Sequence, residues 1–214
     1  MRFYFDYISN NAYLAWTQLP TLTSKYGVTA EPVPVLFAGL LGAHGQLGPA
    51  EIPAKSVWMA KNTARKAALL RVPLNPPAFH PFNPLLSLRV SSLEIGAAER
   101  QRLIDALFRA VWVRGLHVSE PAVVESIANE VGLAGAELVA AAQQRDCKER
   151  LRRQTDDAIA RGVFGVPSME VGDELFWGYD DFPYLELFLA GRDPIDAAAW
   201  RTLAPPTASA MRKR

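Results

Sequence analysis

The sequence predicts an α/β fold in which the two ends of the chain build one sheet and the middle forms a block of helices. Residues 1–38 have the pattern of strand, helix and strand. From about Ile52 to Arg161 the apolar residues recur at helical spacing. After Gly162 the spacing returns to two, and the chain then has one more helix.

Aromatic and β-branched residues alternate over residues 2–8, which indicates the first strand. Ser9 can cap a helix over residues 11–24, and Gly27 can end that helix. A second strand is predicted over residues 28–38. Two strands joined through one helix form a parallel pair with a right-handed crossover.

The middle of the chain is predicted to be helical, with segments at 53–70, 93–113 and 138–160. Proline-rich loops interrupt this pattern at 73–84. Pro121, which follows a serine and a glutamate, marks the start of a further helix.

Alternation near the C-terminus predicts strands at 168–171 and 174–177, with Gly172-Asp173 as the turn of a hairpin. A last helix is predicted over 182–190. The remaining segment, 203–214, is rich in Ala, Pro and Thr with a basic end, and we expect it to be disordered.

The order of these elements, β-α-β, a helical block and then β-β-α, resembles a thioredoxin fold that carries a large insertion. Residues 1–38 and 142–202 would form the thioredoxin-like domain, and 39–141 an inserted all-α domain.

Composition and charge exclude several classes of protein. Half of the 214 residues are hydrophobic, which excludes a disordered chain, and the net charge of +1 offers no excess for binding nucleic acid. The longest stretch without charged residues, 32–50, is rich in Gly and Pro, so a membrane helix is not expected. With one cysteine and no recognisable targeting segment, we expect a soluble cytoplasmic protein.

The first candidate site lies between the first strand and the first helix, where redox members of the thioredoxin fold carry C-x-x-C. Ser9 and Ala12 occupy the two cysteine positions, so thiol–disulfide exchange by side chains of this site is excluded. A hydroxyl beside a helix N-terminus stabilises a bound anion, including a thiolate. The alternative at this point is that Ser9 is only a helix cap.

Two further segments are candidates. A cis bond at Val166-Pro167 would offer the backbone of Val166 to an extended peptide, whereas the alternative is a trans proline that starts an edge strand. Gly178-Tyr179-Asp180 can hold an α-amino-acid group through backbone N–H groups and a carboxylate, and the alternative is an ordinary aspartate cap.

The sequence gives little support for a metal site or for a reactive cysteine thiol. The three histidines, His44, His80 and His117, have no cysteine or carboxylate at ligand spacing, so no metal site is predicted. Cys147 lies within a predicted helix between Asp146 and Lys148, and we interpret it as a structural thiol.

Longer motifs connect these segments to a known family. The sequence resembles the 2-hydroxychromene-2-carboxylate isomerases, which are related to kappa-class glutathione transferases and more distantly to DsbA-type oxidoreductases. The motifs that carry the resemblance are Phe3-Tyr4-Phe5-Asp6-Tyr7-Ile8-Ser9, Ala12-Tyr13-Leu14-Ala15, Pro53-Ala54-Lys55-Ser56-Val57-Trp58, Gly162-Val163-Phe164-Gly165-Val166-Pro167 and Glu174-Leu175-Phe176-Trp177-Gly178-Tyr179-Asp180.

The resemblance implies a glutathione-dependent isomerase in aromatic degradation, acting on a small aromatic carboxylate. The thiolate of bound glutathione would add to the substrate and later leave it, and Ser9 would contact that sulfur. Oligomeric state stays open, although members of the family are often dimers. The other residues that the resemblance assigns to glutathione are Gln46, Lys55, Val166, Pro167, Tyr179 and Asp180.

Two positions depart from the family pattern. Asn10 stands where proline usually follows the serine, and Asp181 replaces the arginine of a common Asp-Arg pair near the γ-glutamyl site. These changes keep two alternatives open: a kappa-like glutathione transferase for another electrophile, and a thioredoxin-like binding protein without catalysis.

Overall fold

One mixed sheet joins the two ends of the chain in the computed structural model, which describes residues 1–196 and Trp200. Its strands in these residues are β1 (Arg2–Phe5), β2 (Glu31–Pro34), β3 (Ser168–Val171) and β4 (Glu174–Trp177). The strand order is β2-β1-β3-β4, with β1 parallel to β2 and antiparallel to β3, and with β3 antiparallel to β4. The predicted α/β fold with a shared sheet is therefore confirmed.

Helices fill most of the rest of the described chain, and none of them is both long enough and apolar enough to cross a membrane. They are α1 (Asn10–Tyr26), α2 (Phe37–His44), α3 (Pro53–Leu70), α4 (Leu85–Ser91), α5 (Ala97–Trp112), α6 (Pro121–Glu130), α7 (Gly135–Ala142), α8 (Arg145–Ala160) and α9 (Phe182–Leu189). Short 3₁₀ turns occur at Pro49–Glu51 and Tyr179–Asp181.

Buried aromatic rings connect the sheet to the helical block. Phe5 and Tyr7 lie with their ring centroids 5.5 and 4.7 Å from that of Phe108 on α5, and Trp16 on α1 is 5.9 Å from the same ring. All four side chains are buried. Because aromatic burial dominates core energetics, these contacts fix the position of α1 between the sheet and the helical block.

The predicted strand over 28–38 is wrong beyond Pro34. Helix α2 begins at Phe37, whose backbone N–H donates to Oδ2 of the buried Asp6 at 2.9 Å. The side chain that satisfies this helix start lies far back in the sequence, so no local pattern announces it.

Two predicted helices also have different limits. Helix α5 begins at Ala97 and not at residue 93, because Gly96 caps it and donates its N–H to the Glu99 carboxylate. The predicted helix over 138–160 is two helices, since Gln144 has an extended backbone and separates α7 from α8. Helix α4 was not predicted.

Other predictions agree with the structure in detail. The bounds of α3, β3 and β4 are those predicted for 53–70, 168–171 and 174–177. The division into domains at 1–38 plus 142–202 and 39–141 stays a prediction. The predicted disordered tail, 203–214, lies outside the described residues.

Candidate active site

Ser9 joins the start of α1 to the loop before β3. Its Oγ accepts a hydrogen bond from the Ala12 N–H at 3.1 Å, and its hydroxyl donates to the Val166 carbonyl oxygen at 3.2 Å. Its backbone is extended, as an N-cap requires, and its side chain is partly exposed. Ser9 is therefore a helix cap, and its hydroxyl also lies beside the predicted peptide-binding loop.

The N-terminus of α1 has free donors and no acid in its first turn. The N–H groups of Asn10 and Asn11 find no acceptor among residues 1–196. Such groups carry the positive end of the helix dipole and can stabilise an anion that binds at this end of the helix. The site therefore has the electrostatics that a bound thiolate requires.

The loop before β3 contains the predicted cis bond, between Val166 and Pro167. Within the described residues the Val166 N–H makes no hydrogen bond, so it is free to bind a ligand's main chain. The Gly178 N–H donates to the Pro167 carbonyl at 2.8 Å. This bond places Tyr179 and Asp180 next to the same loop.

Asp180 forms an ion pair that the sequence did not predict. Lys66 on α3 donates to Asp180 Oδ2 at 2.6 Å and to Asn11 Oδ1 at 3.2 Å. Asn11 also contacts the sulfur of Met59, seven residues before Lys66 on α3. Residues seven apart lie on the same face of a helix. A helical projection of α3 would therefore have placed Lys66 on the face that carries Met59.

A cavity of about 320 Å³ opens beside Tyr179 and Asp180. Its walls come from these two residues, from the C-terminal half of α1 and from the start of α9, and they include Gln18 and Thr21. Tyr179 packs on Phe182 with ring centroids 5.0 Å apart, and partial burial raises the pKa of its phenol. Asp180 therefore lies between this cavity and the N-terminus of α1.

Two of the predicted glutathione ligands are not brought into this cluster. Lys55 lies on an exposed part of α3, one turn before Met59, and Gln46 is exposed in the loop after α2. In the described part of the chain, neither side chain forms a hydrogen bond or ion pair with Ser9, Val166 or Asp180. Their assignment to glutathione stays a prediction.

Asp6 stabilises the segment between β1 and α1 that carries Ser9. It is fully buried, and its Oδ1 accepts the Ile8 N–H at 3.0 Å while its backbone carbonyl accepts the Ser9 N–H at 3.1 Å. Burial raises the pKa of this carboxyl to about 7, although hydrogen bonds from Phe37 and Ile8 act in the opposite direction. Asp6 thus fixes the bend that presents Ser9.

Cys147 takes no part in this site. It is buried on α8, where its thiol donates to the Arg89 carbonyl oxygen at 3.3 Å. Among the described residues no group of three or more His, Cys, Asp or Glu side chains could hold a metal ion. The interpretation of Cys147 as a structural thiol agrees with this position.

We expect the Cys147→Ser variant to bind glutathione with an unchanged affinity. The serine hydroxyl can donate to the same carbonyl, and no group of the site contacts residue 147. Calorimetric titration of the variant beside the wild type tests this. An affinity that falls by about tenfold or more would show that the thiol influences the site.

Three features define the class of protein to which this chain belongs. They are a hydroxyl at the N-terminus of α1, a free backbone N–H beside a proline loop, and a carboxylate–ammonium pair. This is a thioredoxin-fold protein with Ser9 and Ala12 at the two cysteine positions, so the site supplies no thiol of its own. Residues 1–190 match the family model of the DSBA-like thioredoxin domain.

Similar proteins agree with this class. A 2-hydroxychromene-2-carboxylate isomerase from Sphingobium xenophagum is 30% identical over 189 residues, which cover 87% of this chain and 96% of that protein. Glutathione S-transferase kappa 2 of Caenorhabditis elegans is 27% identical over 206 residues, covering 89% and 91%. A solved 2-hydroxychromene-2-carboxylate isomerase superposes with a TM-score of 0.83 at 28% identity, covering 89% of this chain and 94% of that one. The chain therefore belongs to the DsbA-like thioredoxin family, among the 2-hydroxychromene-2-carboxylate isomerases.

Proposed function

We propose that this protein is a glutathione-dependent isomerase of 2-hydroxychromene-2-carboxylate or of a closely related aromatic carboxylate. The observation that carries the proposal is Ser9, a hydroxyl in the thiol position at a helix N-terminus with free N–H groups. The names of the isomerase relatives support the substrate class.

The residues present fit glutathione. The Asn10 and Asn11 N–H groups lack acceptors in the described residues and suit the sulfur anion, and the free Val166 N–H suits the peptide backbone. Asp180 offers a carboxylate for the γ-glutamyl ammonium. Glutathione supplies, when bound, a thiolate nucleophile for the substrate's electron-poor double bond.

The chain's own residues keep that sulfur ionised and in place. The Ser9 hydroxyl can donate to the sulfur, and one hydrogen bond to a charged group contributes about 1.5–3 kcal/mol. The dipole of α1 adds to this stabilisation. Both lower the pKa of the bound thiol, so the nucleophile is present at neutral pH.

A kappa-like glutathione transferase is the second candidate. The kappa-class relative supports it, because the same thiolate site can serve conjugation of another electrophile. The proposal includes a cytoplasmic location, where glutathione is reduced. A homodimer stays a prediction.

Titration of the protein with glutathione at pH 7, followed by absorbance in the thiolate band, tests the proposal. Free cysteine thiols have a pKa of about 8.5, so free glutathione is mostly protonated at this pH. We expect the thiolate absorbance to rise and saturate with added glutathione. S-methylglutathione is the matched control, since it has no ionisable thiol and should give no band.

Turnover assays then separate the candidate functions. Isomerisation of 2-hydroxychromene-2-carboxylate that depends on glutathione supports the isomerase, and conjugation of an aryl halide without isomerisation supports the transferase. A saturating thiolate band with neither reaction would indicate a binding protein. Absence of both binding and the thiolate band would refute glutathione dependence.

A further inference from the structure

Lys66 is the charged group of α3 that lies deepest in the site. Its side chain is only 12% exposed, whereas that of its partner Asp180 is 70% exposed. Its ammonium donates to Asn11 Oδ1 and Asp180 Oδ2, which uses two of its three N–H donors. The third donor finds no acceptor among residues 1–196. An ammonium held between α1 and the Tyr179–Asp181 turn, with one free donor, can bind an anion.

Asn11 places this ammonium close to the thiol site. Asn11 follows Ser9 by two residues, a rise of about 3 Å along the axis of α1. A three-residue peptide spans about 10 Å when extended. The thiol of glutathione is on the central residue, so either end can extend about half of this span from a sulfur at Ser9, toward the side chains around Asn11, which include Lys66.

The residue that follows Asp180 carries no positive charge. Asp181 occupies that position, and its Oδ2 accepts the Trp177 N–H at 2.7 Å, so its carboxylate stabilises the end of β4. Lys25, beside the neighbouring cavity, is paired with Glu186. Within the described residues, Lys66 is the cation that forms an ion pair with Asp180.

We infer that Lys66 binds the α-carboxylate of the γ-glutamyl end of glutathione, while Asp180 binds the ammonium on the same carbon. This inference rests on the proposed function. An α-amino-acid group presents one negative and one positive group side by side, and the Lys66–Asp180 pair offers the two opposite charges with Nζ and Oδ2 2.6 Å apart. Ligand binding then replaces one internal ion pair by two intermolecular ones.

The inference gives Lys66 a role that a purely structural ion pair would not have. Loss of the Lys66 ammonium weakens the binding only of ligands that carry the α-carboxylate. The test compares glutathione with γ-aminobutyryl-cysteinylglycine, which lacks that carboxylate and keeps the ammonium and the thiol. Both peptides are titrated calorimetrically against the wild type, Lys66→Met and Lys61→Met.

Methionine keeps the apolar stem of Lys66 and removes its charge. Lys61, an exposed residue of the same helix, is the matched control for loss of one positive charge. We expect the wild type and Lys61→Met to bind the truncated peptide about tenfold more weakly than glutathione. We expect Lys66→Met to bind glutathione about tenfold more weakly than the wild type and to bind both peptides with equal affinity.

Two results would overturn the inference while leaving the proposed function intact. One is a Lys66→Met variant that binds glutathione as the wild type does. The other is a variant that loses the same factor for both peptides, which would give Lys66 a structural role through Asn11. A wild-type protein that binds neither peptide would instead refute the proposed function and the inference with it.

Discussion

The Ser9→Ala variant is expected to lose at least about tenfold in isomerase turnover while remaining folded. Alanine removes the donor that stabilises the sulfur anion, a contribution of about 1.5–3 kcal/mol. Each 1.4 kcal/mol changes a rate or equilibrium by about tenfold. The same substitution removes the acceptor of the Ala12 N–H, which costs α1 about 1 kcal/mol of cap stabilisation.

The geometry explains why the hydroxyl is available to a ligand. A hydroxyl has one hydrogen, and in this structure it points to the Val166 carbonyl. The distance of 3.2 Å is long for a bond between a hydroxyl and an oxygen, for which about 2.8 Å is typical. The proposed thiolate, as a charged acceptor, would compete with the Val166 carbonyl for this hydrogen.

Two measurements separate the cap from the catalytic role. The pH midpoint of the thiolate band should rise by about one pKa unit or more in Ser9→Ala, because a unit corresponds to about 1.4 kcal/mol. Ser9→Thr keeps both the hydroxyl and the cap and should restore a low midpoint. Turnover and midpoint equal to those of the wild type in Ser9→Ala would remove Ser9 from the mechanism.

Local patterns predicted those parts of the molecule whose stabilising contacts are close in sequence. The hairpin over residues 168–177 depends on alternation and on one glycine turn, and α3 depends on its own proline start and periodicity. The cis bond at Pro167 followed from the resemblance of the whole arrangement to the thioredoxin fold. In these cases the local sequence pattern, or its place in the fold, was sufficient to predict the structure of the segment.

Contacts between distant segments were not predictable in the same way. The break between α7 and α8 falls at two glutamines, which carry no breaking signal of their own. Helix α2 starts where the buried Asp6 carboxylate accepts its N–H. Lys66 meets Asp180 across 114 residues of sequence, because α3 and the Tyr179–Asp181 turn both pack against α1.

The predicted ligands show the same distinction. Ser9, Val166, Tyr179 and Asp180 lie at ends of sheet elements, which the fold fixes, and the structure brings them to one region. Gln46 and Lys55 were assigned from a loop and a helix start in the helical block, and they are exposed. Lys66 lies outside the motifs that carry the resemblance, and its contact with Asp180 became visible only in the structure.

Stability is expected to fall as pH rises from about 4 to about 7, because Asp6 is buried. The pKa of its carboxyl is about 7 in the folded chain, against an ordinary value of 3.8. Between these values the folded chain holds a proton that the unfolded chain has released. The contribution of the protonated Asp6 carboxyl to the free energy of unfolding is therefore full below about pH 4. The contribution is lost progressively up to about pH 7, and a difference of about three pKa units amounts to about 4 kcal/mol.

Asp6→Asn isolates this effect because the amide does not titrate. Its nitrogen cannot accept one of the two backbone N–H groups that the Asp6 oxygens accept, so the variant should be less stable than the wild type at the acid end. The free energies of unfolding of both proteins are measured in urea from pH 4 to pH 8. Their difference should then shift in favour of the variant by about 4 kcal/mol. Asp157→Asn, on an exposed part of α8, controls for loss of a carboxyl group elsewhere. A difference between wild type and Asp6→Asn that is constant with pH would show that Asp6 is already ionised in the folded chain, held by the Ile8 and Phe37 N–H groups despite its burial.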